Sequence, residues 1–273
     1  METLLKSDVT HIHSNEMTQN SSEADLMYSD IAASIVTHKA ILELDKFGQL
    51  IQAQPLSKQE LATFFATMWA FFKDVPSGIV CLGAKITDEL LDKYPWEASA
   101  TAANVLFASV DEYGLQSQES MQKTHHQLFK ELASHFNITD QDLYSEEHRL
   151  QAGTAMGDST YRYYRSSKIG EAIGFHLASE MTSSREFQYF LSGFERFPEH
   201  YNLIHPNNSE LLFFKIHCEV EPMHVATGRD VLIKCLDNDE SIYQDAMRGA
   251  QAFMNSFGAL FKALNQTLEL SRE

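Results

Sequence analysis

The sequence predicts an all-helical protein, on three observations. From about Ile31 onward, apolar residues recur at three- and four-residue steps, the spacing that lines one face of an α-helix. Glycine and proline are scarce, 12 and 6 in 273 residues, and they fall mainly at the ends of the periodic segments. No stretch shows the sustained β-branched alternation of a strand.

Taken in order, residues 1–30 read as a disordered leader. They are polar and rich in Ser and Asn, and they lack the basic start and apolar core of a secretory signal or membrane anchor. His11 and His13 lie in this tail and read as solvated. Residues 31–273 read as a single domain, with helices expected at about 31–52, 57–73, 77–92, 96–113, 119–136, 139–150, 166–184, 185–197, 207–227 and 239–270. Ser57 with Glu60 is a capping box for the second of these, and Pro95 opens the fourth. The segment Gly153–Tyr164, GTAMGDSTYRYY, carries two glycines and three tyrosines and is expected to be an interior loop. No composition shift accompanies it, so it marks no domain boundary.

Composition excludes several function classes. Thirty-eight acidic against 21 basic residues give a formal charge of -17, which opposes phosphate contacts and anionic lipid surfaces, so neither nucleic acid nor membrane is expected as a partner. Nowhere do about 18 apolar residues run uninterrupted, the length a transmembrane helix needs. A hydrophobic content of 44% is enough for a substantial core. The three cysteines, Cys81, Cys218 and Cys235, are widely spaced and form neither a disulfide framework nor a C-x-x-C knuckle, so a cytoplasmic location is expected.

Chemistry concentrates in three segments. In FFKIHCEVEPMHVATG, Phe213–Gly228, the residues His217, Glu221 and His224 are spaced by four and then three. At roughly 100° per residue they share an arc of about 60° on one helical face. Two imidazoles flanking a carboxylate suit iron or manganese better than calcium or magnesium, which prefer oxygen alone. Leu211, Leu212, Phe213 and Phe214 lead into this helix and argue that it is buried, where uncompensated charge is costly. Pro222 sits inside it and removes one backbone hydrogen bond. In Val110–Phe129, Asp111 and Glu112 close one helix and His125 and His126 open the next. In Gly170–Met181, Glu180 lies among Ile173, Phe175, Leu177 and Ala178, company in which a glutamate is rarely left unpaired. His176, one turn earlier, reads as a core residue or a support for the site.

Taken together and in this order, the segments resemble the metal-ligand segments of the haem-oxygenase-like di-iron oxidases and oxygenases. The pattern is an Asp-Glu-x-Gly turn, a His-x-x-Leu-Phe start, a Gly-x5-Glu helix and a His-x3-(Asp/Glu)-x2-His helix. Here these read Asp111-Glu112-Tyr113-Gly114, His125 through Phe129, Gly174 through Glu180, and His217 through His224. The resemblance spans about residues 31–270 and implies a haem-oxygenase-like bundle of about seven core helices. It also implies two iron ions per chain, with manganese as the alternative, held by Glu112, His125, Glu180, His217, Glu221 and His224. Molecular oxygen and a small organic substrate (an amine, amino acid or fatty acid) are the partners implied, and the resemblance leaves room for an external electron donor and a homodimer. Two departures stand out: Glu221 occupies a place where Asp is commoner, and the Glu112–His125 spacing is long, so His125 is preferred to His126 on the Leu-Phe register. The extra methylene of Glu221 suggests that its metal is the weaker-bound one.

Three other readings compete. A metal-independent enzyme resembling thiaminase II or pyrroloquinoline quinone synthase would need an activated cysteine, for which Cys218 and Cys235 are candidates. A helical interaction protein would leave the six ligand positions without a use. Haem binding would need a proximal histidine near the first helix, a place held here by His38. For the substrate, Tyr113, Tyr161, Tyr163 and Tyr164 are candidate pocket residues, and Arg162 and Arg165 are candidate carboxylate partners.

Overall fold

A computed structural model describes residues 22–92, 94–115, 123–204, 208–239 and 241–273. The described residues form α-helices and one 3-10 turn, with no strand among them. In chain order the helices are α1 (Glu23–Val36), α2 (Ala40–Ala53), α3 (Lys58–Phe72), α4 (Val75–Leu91), α5 (Pro95–Glu112), α6 (His125–His135), α7 (Asp140–Leu143), α8 (Gln151–Tyr164), α9 (Ile169–Glu195), α10 (Leu212–Asn238) and α11 (Ile242–Arg272). The 3-10 turn Ser209–Leu211 leads into α10.

Local chemistry sets most of the boundaries. Ser22 and Asp25 form a capping box that starts α1 at Glu23, eight residues before the expected domain start at Ile31. The disordered-leader reading therefore fails for 22–30, and residues 1–21, with His11 and His13, lie outside the described residues. The expected helix over 31–52 is two helices, broken at Thr37–Lys39, where His38 Nδ1 accepts the Ala40 backbone N–H at 3.2 Å. His38 is thus a local cap in a surface groove on α2 and α11. The expected helix over 139–150 shrinks to the single turn of α7.

Two corrections matter for the site. The segment Gly153–Tyr164 is not a loop; it belongs to α8. Its glycines serve close packing, because a Cβ on Gly157 would run into the Ala70 carbonyl oxygen of α3 and one on Gly153 into Thr67. The expected break at residue 185 does not occur, and α9 runs unbroken for 27 residues. There Thr182 and Ser183 turn their hydroxyls back onto the Ala178 and Ser179 carbonyls, at 3.0 and 2.8 Å, and so tolerate the helix interior. α10 likewise passes through Pro222 and Gly228 to Asn238.

α9 is the axis of the domain, packed against α2, α10 and α11, with α8 filling the space between α3 and α11. At the α9–α11 crossing Gly174 faces the Ala246 backbone and Gly249 faces the Glu171 backbone, so the two helices meet without side chains between them. The core beneath the site is phenylalanine-rich: Phe47, Phe64, Phe190, Phe194, Phe214 and Phe261 are all buried and in ring contact with one another. Among the described residues, no helix is long and apolar enough to cross a membrane.

Candidate metal centre

All six residues singled out by motif come together in the fold, as two groups of three. Glu112, His125 and His217 form the first triad, and Glu180, Glu221 and His224 the second; within each, one ligand atom per residue lies within 4.8 Å of the others. Glu112 is the last residue of α5 and His125 the first of α6, where Thr124 and Gln127 make a capping box that sets the start of the helix. Glu180 projects from the middle of α9, and His217, Glu221 and His224 project from one face of α10. Five of the six are buried, and Glu112 is partly so.

Hydrogen bonds fix several orientations. His217 donates its Nδ1–H to the Phe213 carbonyl at 2.7 Å, which leaves Nε2 with the lone pair a metal needs. Its ring stacks on Phe187 with centroids 3.9 Å apart and lies 4.4 Å from the His125 ring. His125 Nδ1 is 3.1 Å from Glu112 Oε1. His224 Nδ1 is 3.4 Å from Glu180 Oε2 and 3.9 Å from Glu221 Oε2. Glu180 Oε1 lies 3.3 Å from His176 Nδ1, which in turn is 3.0 Å from the hydroxyl oxygen of the fully buried Tyr164.

The electrostatics describe a site built for positive charge. Burial, reinforced by the neighbouring Glu180 charge, raises Glu221 well above the usual carboxylate range. Burial also opposes ionisation of Glu180, yet His176 and His224 outweigh it and hold that carboxyl low. Burial, with the adjacent His125, holds His217 well below the ordinary histidine value, so it stays neutral and able to ligate. Glu186, six residues beyond Glu180, is pushed up to about 8 by burial alone.

A metal pair fits these residues. Glu221 Oε2 is buried without a hydrogen-bond partner, and His125 Nδ1, though 3.1 Å from Glu112 Oε1, is not in hydrogen-bond geometry with it, a state that two cations would relieve. Two divalent ions bring four positive charges to three clustered carboxylates and three imidazoles, a mixed oxygen and nitrogen donor set suited to iron or manganese. The triads flank one small cavity that is partly open to solvent. Among the described residues, its remaining wall is Phe71, Phe72, Val75, Phe129, Phe187 and Phe213, with Ser179, Ser183 and His126 as the further polar groups.

Several candidates stand elsewhere. His126 lines the cavity but belongs to neither triad. Tyr113 and Tyr161 are exposed, Tyr163 stacks on Phe175, and none of the four tyrosines lines the cavity. Arg165 lies over the Tyr161 ring and donates to Ser77 Oγ at 2.9 Å, and Arg162 lies over Tyr163, so both arginines are outside the cavity wall. The sequence does not show the link from Tyr164 through His176 to Glu180, because the glycines of 153–164 predict a loop there; the i, i+4 spacing of His176 and Glu180 is the one signal of it. The aromatic wall carried no distinguishing signal, since these phenylalanines have the same spacing as ordinary core.

Comparison with known proteins agrees with this architecture. Two crystal structures of a CADD-like protein of unknown function from Nostoc punctiforme PCC 73102, at 2.00 and 1.35 Å resolution, superpose with TM-scores of 0.65 and 0.63. They share 14% and 13% identity with this chain, covering 90% and 92% of it and 98% of theirs, and so establish a common fold. No curated protein matches the sequence. A family model described as iron-containing redox enzyme, of the haem-oxygenase-like group, matches residues 84–258, well over half of the chain and all six triad residues, and the chain belongs to that family.

Proposed function

We propose that the protein is a non-haem di-iron oxidoreductase that uses molecular oxygen to oxidise a small organic substrate. The observation that carries this reading is the pair of buried triads opening on one cavity. Glu112, His125 and His217 would hold one ion, and Glu180, Glu221 and His224 the other. When bound, the irons supply the oxygen chemistry, which no side chain here can perform.

The chain's own residues do the rest. His217 is preset for ligation by its bond to the Phe213 carbonyl, and Glu180 is oriented by His176. Phe71, Phe72, Phe129, Phe187 and Phe213 exclude bulk water from the reacting space, which strengthens every electrostatic interaction inside it. No lysine or arginine is among the described lining residues. Three free cysteines and an oxygen-sensitive metal fit a reducing, cytoplasmic setting with an external electron donor.

The metal-independent alternative finds little support. Burial pushes the Cys218 thiol up to about 11 and the Cys235 thiol up to about 12, the opposite of an activated nucleophile. Anaerobic loading with iron(II) followed by elemental analysis tests the proposal directly. About two irons per chain are expected, with oxygen consumption on exposure to air; a content near zero with all six residues intact overturns it.

A further inference from the structure

Two neighbouring rings each carry a buried nitrogen with no hydrogen-bond partner: His126 Nε2, of a residue in the cavity wall, and Trp69 Nε1, of a residue outside that wall. The rings meet edge to face with centroids 5.1 Å apart. Trp69 is also stacked on Phe129 at 5.7 Å and met edge-on by Tyr144 at 5.9 Å, so its indole is held by aromatic contacts on several sides. His126 and Phe129 are themselves part of the cavity wall.

An indole N–H donates only, and a buried donor left unmade bears its full desolvation cost. Such groups are rare in native proteins, and two on adjacent rings beside a cavity call for a common cause. Metal ligation is not that cause, because His126 lies outside both triads and an indole is no ligand. A ligand is. The Phe72 and Phe129 rings, in edge contact at 5.6 Å, give it an apolar bed beside the two nitrogens.

We propose that His126 and Trp69 form an anchoring subsite for a hydrogen-bond-accepting oxygen of the substrate, a carbonyl or carboxylate on an otherwise apolar small molecule. The apolar part lies along Phe72 and Phe129, and the anchor sets which carbon faces the triads. This rests on reading the cavity as the reaction chamber.

The chain offers its own reporter. Trp69 and Trp96 are its two tryptophans, and Trp96 is 88% exposed, so Trp96→Phe leaves Trp69 as the sole source of indole fluorescence. Zinc-loaded Trp96→Phe protein is titrated with butanoate, butanamide and butylamine. A saturable change in Trp69 emission is expected with butanoate or butanamide and not with butylamine, which has no acceptor oxygen; the stronger of the two oxygen probes identifies carboxylate or carbonyl as the group recognised. Adding His126→Phe should weaken that binding about tenfold at unchanged zinc content, and His126→Gln, which keeps a donor, should restore most of it. Three results overturn the proposal: no saturable response to either oxygen probe, an equal response to butylamine, or binding that His126→Phe leaves unchanged. A crystal of the butanamide complex with only water on the two nitrogens overturns it as well. Zinc content separates the two readings: protein that fails to take up metal counts against the metal centre, whereas loaded protein that ignores the probes counts against the subsite.

Discussion

The two triads are built from different parts of the helices and carry different charge. The first has one carboxylate and two imidazoles, and two of its three residues, Glu112 and His125, sit at helix ends. The second has two carboxylates and one imidazole, all from the interiors of α9 and α10, two packed 27-residue helices. The geometry of the second triad is therefore set by a helix crossing, which is rigid, while that of the first depends on how one helix stops and the next begins. Without a metal the second triad also bears the larger electrostatic conflict, visible in the raised Glu221 carboxyl. A divalent ion relieves more repulsion there. Side-chain length alone predicts that the metal of Glu221 is the weaker-bound one; more charge on a better-fixed frame predicts the opposite order, and the two expectations are separable by titration.

Removing a ligand gives the largest expected effect. His224→Ala should lower iron affinity at the second triad by more than about 100-fold, beyond what loss of a supporting residue costs, and leave about one iron per chain. His217→Ala should do the same to the first triad. Anaerobic iron(II) titration of both variants would show the remaining binding step to be the weaker in His224→Ala and the tighter in His217→Ala. The reverse order would break the comparison.

A smaller effect is expected at Glu186, whose buried carboxyl adds to the negative charge felt by Glu221 only when it is ionised. Its folded-state value of about 8 is raised from an unfolded value near about 4.3, so the folded state keeps a proton that the unfolded state loses. This group's contribution is neutral below the unfolded value and increasingly destabilising as the pH rises to about 8, where it levels off. Glu186→Gln should therefore stabilise the metal-free protein most at pH near 8 and by much less near pH 5. Urea unfolding at the two pH values is the measurement, and an equal gain at both would place the effect in packing.

The smallest expected effect concerns the helix start that presents His125. Thr124→Ala removes the side-chain cap on the Gln127 N–H and should cost about 1 kcal/mol of stability. It should weaken iron binding at the first triad alone, because no residue of the second triad depends on that cap. A uniform loss across both binding steps would show that the two triads are coupled more tightly than their separate helices suggest.

How far the sequence could be read follows the range of the interactions. The helices were legible from their apolar repeat, and α3 from its Ser57–Glu60 box, because these are effects between residues a few positions apart. The same local rules misplaced Gly153–Tyr164, whose glycines look like loop residues until α3 is seen packed against them. They also divided α9 between residues 184 and 185, although Thr182 and Ser183 satisfy their hydroxyls within the helix. At the site, His217, Glu221 and His224 were readable as one face of one helix, since their spacing alone puts them there.

The amino-acid sequence by itself determined that face, the acidic surface and the helical class, all of which follow from composition and from periods of three and four residues. Only the tertiary structure decided that His217 joins Glu112 and His125 while Glu221 and His224 join Glu180. It alone also set Tyr164 behind His176 and Trp69 against His126. Residues one or two turns apart on α10 are sorted into different triads by which helices lie opposite them, and that choice is made by packing across the core, where sequence spacing carries no information.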